Sequence, residues 1–230
     1  FIEGFSLTMD YWDISIEDAI QSVRADDIVL GCYQGAALNN QFCDLFERNG
    51  DSSSLQFGGF VYMRTGLLNY SKSETSGIDF SASYAFNVGE NQFSVKASGT
   101  KVKDNTRFQN PLDLSEQDPE LTELGAPEYA GNIFFKYYRG NLSLGWQAQF
   151  ISEMLLGGVE VETYEDLFGP SVMMDDVWMH DLNGSYAFSD GLTVSFGVRN
   201  VTEEEPFITA NAYPASPRGR MFWASVNMSL

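Results

Sequence analysis

The chain has 230 residues and carries 32 acidic against 13 basic side chains, a formal net charge of −19. That balance excludes nucleic acid as a partner, because phosphates require a cationic surface, and 43% apolar residues exclude compositional disorder. No run reaches the roughly 20 consecutive apolar residues of a membrane-spanning helix.

Alternation of apolar and polar residues dominates from the start, and predicts strands. The opening stretch FIEGFSLTMDYWDI has neither a basic start nor an apolar block, so the sequence reads as beginning in mid-domain, with Phe5–Ile16 as its first strand. SIEDAIQSVRADDIVLGCYQ then carries apolar residues at helical spacing, with Ser15 placed to cap and Asp18 three positions on. NQFCDLFERNG has the look of another short helical turn. Cys32 lies in the first of these segments and Cys43 in the second. Two buried free thiols would fit, but the polar, loop-like setting favours a disulfide, which contributes ~3 kcal/mol by restricting the unfolded chain and implies an oxidising compartment.

Further strands are expected over Gly77–Phe86, Gln92–Val102, Asn132–Tyr138, Leu142–Ser152, Val177–Phe188, Leu192–Thr202 and Arg220–Leu230. The class is all-β. Three of the connections are very short, NVGEN at 87–91, RGN at 139–141 and SDG at 189–191. Long ones, over 17–60, 104–128, 153–176 and 203–219, alternate with them. In an up-and-down meander that alternation gathers the short turns at one end and the long connections at the other, an asymmetry of outer-membrane barrels that soluble sandwiches have no general reason to share. The long connections hold 24 of the 32 acids, whereas the strand faces read as apolar on one side and short and neutral on the other. Leu192, Val194, Phe196 and Val198 make one such apolar face, opposite Thr193, Ser195, Gly197 and Arg199. Aromatics precede the short turns, in SYAF at 83–86, FKYY at 135–138 and SYAF at 185–188, where an interfacial girdle would lie.

Catalytic and metal constellations are poorly supplied. His180 is the chain's single histidine and reads as a strand residue near a membrane or loop boundary. The two cysteines lack the further Cys or His ligands of a zinc site, and the GGF and LGG stretches lack phosphate-loop spacing. No enzyme activity, cofactor or metal site is expected. DLSEQDPE at 113–120 and YEDLF at 164–168 offer carboxylates to a hard cation but match no defined loop, so a solvated acidic rim is the expectation. Tyr33, Phe42, Tyr164, Phe168, Phe207 and Tyr213 in the long connections are expected to pack within them rather than hold a ligand.

The C-terminal stretch is more specific. LTVSFGVRNVTEEEPF, then YP at 213–214 and RGRMFWASVNMSL, resembles the last two strands of TonB-dependent outer-membrane receptors. Gly197, Arg199, Asn200, Val201 and Pro206 fill the family's penultimate-strand pattern, with Val201 in place of the usual Leu. Gly219, Arg220, Phe222 and Trp223 agree with its final strand, whereas Leu230 stands where an aromatic residue is usual. FSLTMDYWDISIEDAI, SETSGIDFSASYAF and PEYAGNIFFKYYRGNLSLGWQAQF are similar to rising and descending strands of the same family.

The resemblance implies an antiparallel, up-and-down transmembrane β-barrel. Residues 1–230 would supply about eight C-terminal strands of a larger barrel of the roughly 22-strand type, with short helices in the first extracellular loop. It implies residence in the outer membrane of a Gram-negative bacterium, in contact with its lipid. The expected role is a share in the uptake of a scarce nutrient such as an iron–siderophore, haem, cobalamin or a carbohydrate. The TonB contact and the plug domain would belong to an N-terminal part absent from these residues. Two alternatives are a self-contained eight-strand barrel acting as adhesin or small pore, and a soluble β-sandwich binding module whose apolar faces meet each other.

Overall fold

The computed structural model describes residues 2–34, 37–108, 117–155, 173–207 and 213–229. In chain order these form β1 (Phe5–Val23), α1 (Ala25–Gln34), the 3-10 turn η1 (Cys43–Leu45), β2 (Phe46–Arg48), β3 (Phe60–Met63), β4 (Gly66–Val88) and β5 (Asn91–Phe108). There follow β6 (Asp118–Pro119), β7 (Tyr129–Arg139), β8 (Leu142–Ile151), β9 (Met154–Leu155), β10 (Met173–Met174), β11 (Val177–Ser189), β12 (Leu192–Arg199) and β13 (Met221–Met228).

All eight expected strands are present, in one sheet of order β1-β4-β5-β7-β8-β11-β12-β13, with β6 added beside β5. The order does not close on itself: β1 and β13 are its two edges. Each neighbour in the path is also the next long strand in sequence, so the sheet is an up-and-down meander. Its tight turns are the pairs 89–90, 140–141 and 190–191. Gly89 and Gly140 sit at φ 61° and 53°, the left-handed geometry that lets a two-residue turn match the twist of its strands. Every other connection is long. Antiparallel pairing of consecutive strands therefore turns the chain tightly at one end and sends every long connection from the other.

Three strands far outrun their expected limits. β1 continues to Val23, β4 begins at Gly66 and β5 runs to Phe108, so much of the sequence read as loop is ladder. The expected helix start at Ser15 is overturned for the same reason: ISIEDAIQSV is strand, with Asp18 at φ 53° interrupting its regular pleat. The helix begins nine residues later. Arg24 donates its backbone N–H to Asp27 Oδ2 at 3.2 Å, and Asp26 and Asp27 place negative charge in the first turn.

Contacts divide the chain into two compact units. One comprises Phe1–Asp13, Ser76–Asp104 and Glu120–Leu230 and holds most of the sheet. Its buried cluster, Ile151, Met154, Val177 and Phe207, lies where the strand ends of β8 and β11 meet the long connections, with Leu124, Met174, Met179 and Tyr213 packed on it. No second sheet covers the long strands among the described residues. The other unit, Ile14–Thr75 and Asn105–Pro119, packs Val23, Ile28, Cys32 and Phe42 into a small core with Cys43, Leu45, Phe46, Met63 and Leu68 around it. Cys32 and Cys43 are joined by a disulfide, with Cα atoms 4.8 Å apart. Asn40 reinforces the closure by donating to Gly31 O at 3.0 Å while accepting from the Phe42 amide at 3.0 Å. In the turn that follows β2, the Ser53 hydroxyl and amide hydrogen-bond to Asp51 and hold its carboxyl below the usual carboxylate range.

Candidate functional site

Register decides which side chains share a face. One rung reads Val95, Phe135, Trp146, Leu182, Val198 and Phe222 across six successive strands, apolar throughout. The next residue along each strand gives Ser94, Lys136, Gly145, Asn183, Gly197 and Trp223 on the opposite face. Nearer the tight turns the same face reads Gln92, Tyr138, Ser143, Ser185, Ser195 and Ser225. The apolar face stays open: Phe196 is 52% exposed, Val226 66% and Phe222 75%. Rings and branched chains left uncovered among the described residues suit an apolar solvent, which is the condition of a lipid-facing barrel wall.

Both boundaries of that belt are visible. Toward the tight turns, rings follow one another as Phe5, Tyr84, Phe86, Phe93 and Tyr137, with centroids 6.5, 5.0, 5.0 and 5.3 Å apart. The aromatics expected to form a girdle thus cluster on the apolar face, although Tyr138 belongs to the opposite face. At the other boundary Lys101 pairs across the sheet with Tyr129, its ammonium 4.8 Å from that ring and 3.4 Å from Glu128. Phe93 to Lys101 is eight steps along β5 at ~3.4 Å each, or about 20 Å of height at a ~40° tilt. That is close to the ~25 Å apolar band of an outer-membrane barrel. His180 lies on the apolar face, its ring stacked on Trp146 at 5.8 Å and Trp178 at 6.2 Å, with Nδ1 buried and unbonded. It is a strand residue in a ring cluster.

The polar face is less bland than the alternation implied. Asp79, Lys96, Lys136, Asp181 and Arg199 all point to it, and Asp79 accepts a 2.6 Å hydrogen bond from the Thr100 hydroxyl. Its most built-up part lies where β12 ends. Gly197 has no side chain because the Trp223 ring occupies the space: a Cβ there would sit 2.5 Å from the indole. Arg199 follows on the polar face. Asn200 then leaves the strand at φ 52° and donates its amide to Asp181 Oδ1 at 2.8 Å. Its side chain bonds both the amide and the carbonyl of Glu204, each at 2.8 Å. Val201 donates to His180 O at 2.7 Å and accepts from Arg220 Nε at 3.0 Å, and Arg220 pairs with Glu203 at 3.2 Å. The Gly-x-Arg-Asn-Val segment is therefore a strand terminator that pins the acidic connection back onto the sheet.

Above this terminator a cavity of about 360 Å³ opens between the polar face and the returning connection, lined by Gln147, Gln149, Asp181, Arg199, Ser216 and Arg218. A second, of about 300 Å³, shares Gln147, Asp181 and Arg199 and extends down the wall to Asn183, Ser195 and Trp223. Sequence reading placed Arg199 in a motif and Gln147 and Gln149 on a polar face. It did not bring them together with Arg218, 19 residues away in an irregular connection.

The remaining expectations fall as follows. Tyr33 lies beneath the Arg48 guanidinium, donating nothing to it but accepting from Arg48 Nε at 2.8 Å. Phe42 is core, and Phe207 and Tyr213 pack together through a 2.8 Å backbone bond. Tyr164, Phe168, YEDLF, the first half of DLSEQDPE (113–116) and Leu230 lie outside the described residues. Among the described residues no group of three His, Cys, Asp or Glu is arranged to hold a metal.

Residues 1–201 match the family described as TonB dependent receptor-like, beta-barrel. The chain belongs to the TonB-dependent receptor family. Its relatives are transport receptors, and it is a protein of the Gram-negative outer membrane. No curated protein matches it in sequence. Solved receptors share the fold at low identity. The ferric-catecholate import receptor Fiu of E. coli K12 is 16% identical over 98% of this chain and 25% of its own, with a TM-score of 0.53. A mutant of the ferric enterobactin receptor PfeA of Pseudomonas aeruginosa is 14% identical over 99% and 29%, at 0.59. The siderophore receptor PirA of Acinetobacter baumannii is 14% identical over 100% and 30%, at 0.58. This TonB-dependent receptor chain thus spans between a quarter and a third of the length of these solved chains.

Proposed function

We propose that this chain is the C-terminal wall of an outer-membrane uptake receptor, whose plug domain and TonB-contacting segment lie in another part of the same polypeptide. The single observation that carries the reading is the two-sidedness of the sheet: an apolar belt about 20 Å tall on one face, polar and charged side chains on the other. A wall of that kind separates lipid from a hydrophilic lumen. The open edges at β1 and β13 support the reading of a segment over that of a self-contained eight-strand pore. The absence of a covering sheet over the long strands, among the described residues, counts against a soluble sandwich. The transported compound is a scarce nutrient, drawn from the iron–siderophore, haem, cobalamin or carbohydrate classes, taken up with energy relayed by TonB.

The test is uptake by cells producing the full-length receptor, using radiolabelled ferric siderophores, haem, cobalamin and maltooligosaccharides. Accumulation of one class is expected, and it should vanish when TonB is deleted or the proton gradient is collapsed. Accumulation that survives both treatments would identify a passive pore instead.

A further inference from the structure

The connection between β2 and β3, residues 49–59, is built more firmly than a surface loop of its length requires. Paired backbone bonds clasp its ends: Asn49 donates to Gly59 O and accepts from the Gly58 amide, each at 2.8 Å. Asn49 Oδ1 accepts from the Asp51 amide at 2.9 Å, and its Nδ2 donates to the Ser54 hydroxyl at 3.1 Å. The Ser54 carbonyl accepts from the Phe57 amide and its hydroxyl from the Gln56 amide, both at 3.1 Å. Arg48 ties this frame to its stem, donating from Nη1 to Gly58 O at 2.6 Å. What the frame displays is apolar. Leu55 is fully exposed and Phe57 is 62% exposed. Fixing a loop costs conformational entropy, and apolar side chains held in water return nothing until something covers them. A preformed display of this kind suits docking, because the ordering is complete before contact.

The size of the knob selects its occupant. A leucine and a phenylalanine present at most roughly 300 Å², against about 800 Å² a side in a stable complex of separate proteins. A net charge of −19 further opposes a second copy of the chain. The loop holds one acid, Asp51, and no base, so anionic lipid headgroups repel it too. A segment of the same polypeptide escapes the area requirement, because tethering supplies a high effective concentration. Topology names that segment. β1 is an edge of the sheet and runs into the connection that carries this loop. Tight and long connections alternate along the meander, so a strand preceding β1 would join it through a tight turn. That strand would itself descend from a long connection. We infer that Leu55 and Phe57 form a docking knob for an apolar patch on that long connection, the one leading into the strand before β1. The inference rests on the reading of the chain as part of a larger barrel wall, and the solved receptors have ample further chain for such strands.

Thiol accessibility in the full-length receptor, in a background without other free cysteines, tests it. L55C, F57C and the exposed control S52C are each treated with a membrane-impermeant maleimide, on intact cells and after purification in detergent. L55C and F57C should react at least tenfold more slowly than S52C in both settings and at every receptor concentration. Reaction of L55C at the rate of S52C overturns the docking. Protection lost on purification assigns the cover to a separate molecule, and protection lost on dilution assigns it to a second copy; either result overturns the named occupant. p-Benzoylphenylalanine at position 57 identifies the cover, since its photo-cross-link should map to the long connection leading into the strand before β1. A cross-link to any other segment, or none, overturns the assignment while leaving the wall and its uptake standing. A full-length polypeptide with no strand before β1 removes the wall reading and the docking together. If L55C or F57C fails to reach the membrane, the photo-cross-link, which keeps a ring at position 57, decides alone.

Discussion

Replacing Phe196 with lysine probes the assignment of faces directly. Phe196 sits on β12 between Gly184 of β11 and Ala224 of β13, and its ring lies so close over Gly184 that a Cβ there would be 2.8 Å from it. It is four residues from the tight turn that starts β12, or about 10 Å above the turn end of the belt at ~3.4 Å per residue and a ~40° tilt. That depth is near the middle of a ~25 Å band. A lysine there has no short route to water and should cost ~2–4 kcal/mol, which is about 30- to 700-fold in the folding equilibrium. Ser195→Lys is the matched control. Ser195 lies between Ser185 and Ser225, whose short side chains leave a lysine free to extend into the lumen. Its cost should stay within about 0.5 kcal/mol, as for other solvated positions. Guanidinium titrations of the full-length receptor refolded in lipid vesicles would measure both. Equal losses, or a larger one for Ser195→Lys, would refute the assignment.

Three other perturbations read out separate parts of the argument. Intact-mass spectrometry with and without reductant should show the Cys32–Cys43 link, and C32A/C43A should destabilise the smaller unit by ~3 kcal/mol, seen as faster proteolysis within 24–65 while the strands stay protected. Gly197→Val drives a side chain into the Trp223 indole and should cost ~1–3 kcal/mol from overpacking, with altered indole fluorescence; an unchanged spectrum and stability would contradict the packing. Asn200→Ala removes two hydrogen bonds at ~0.5–1.5 kcal/mol each and leaves a Cβ residue in the left-handed region without the local side-chain bonds that let Asn adopt it. Cleavage of the 201–219 connection by added protease should rise accordingly, with Asn200→Gly recovering only the backbone part.

Strand existence was legible because alternation is local. Leu142 to Ile151 announces which residues share a face without knowledge of what lies beside them, and the tight turns at 89–90, 140–141 and 190–191 announce the hairpins. Strand length was not legible. ISIEDAIQSV carries apolar residues at spacings that suit a helix as well as a strand, and only pairing in the sheet resolved it as ladder. The helix start moved to Arg24 because the Asp27 carboxylate could cap there once residues 14–23 were committed elsewhere.

The amino-acid order by itself determined an all-β meander with unequal ends and, through a C-terminal motif, the family. It also placed two cysteines near enough in sequence to join. The tertiary structure decided what the faces meet: the apolar rung through Val95, Trp146 and Phe222 has no covering layer among the described residues, which period 2 alone cannot say. It decided, too, that Arg199 and Arg218 open onto one cavity. The physical reason is range. Alternation, turns and caps depend on neighbours a few residues apart, whereas solvent on a face and convergence on a cavity depend on the registers of several strands fixed at once.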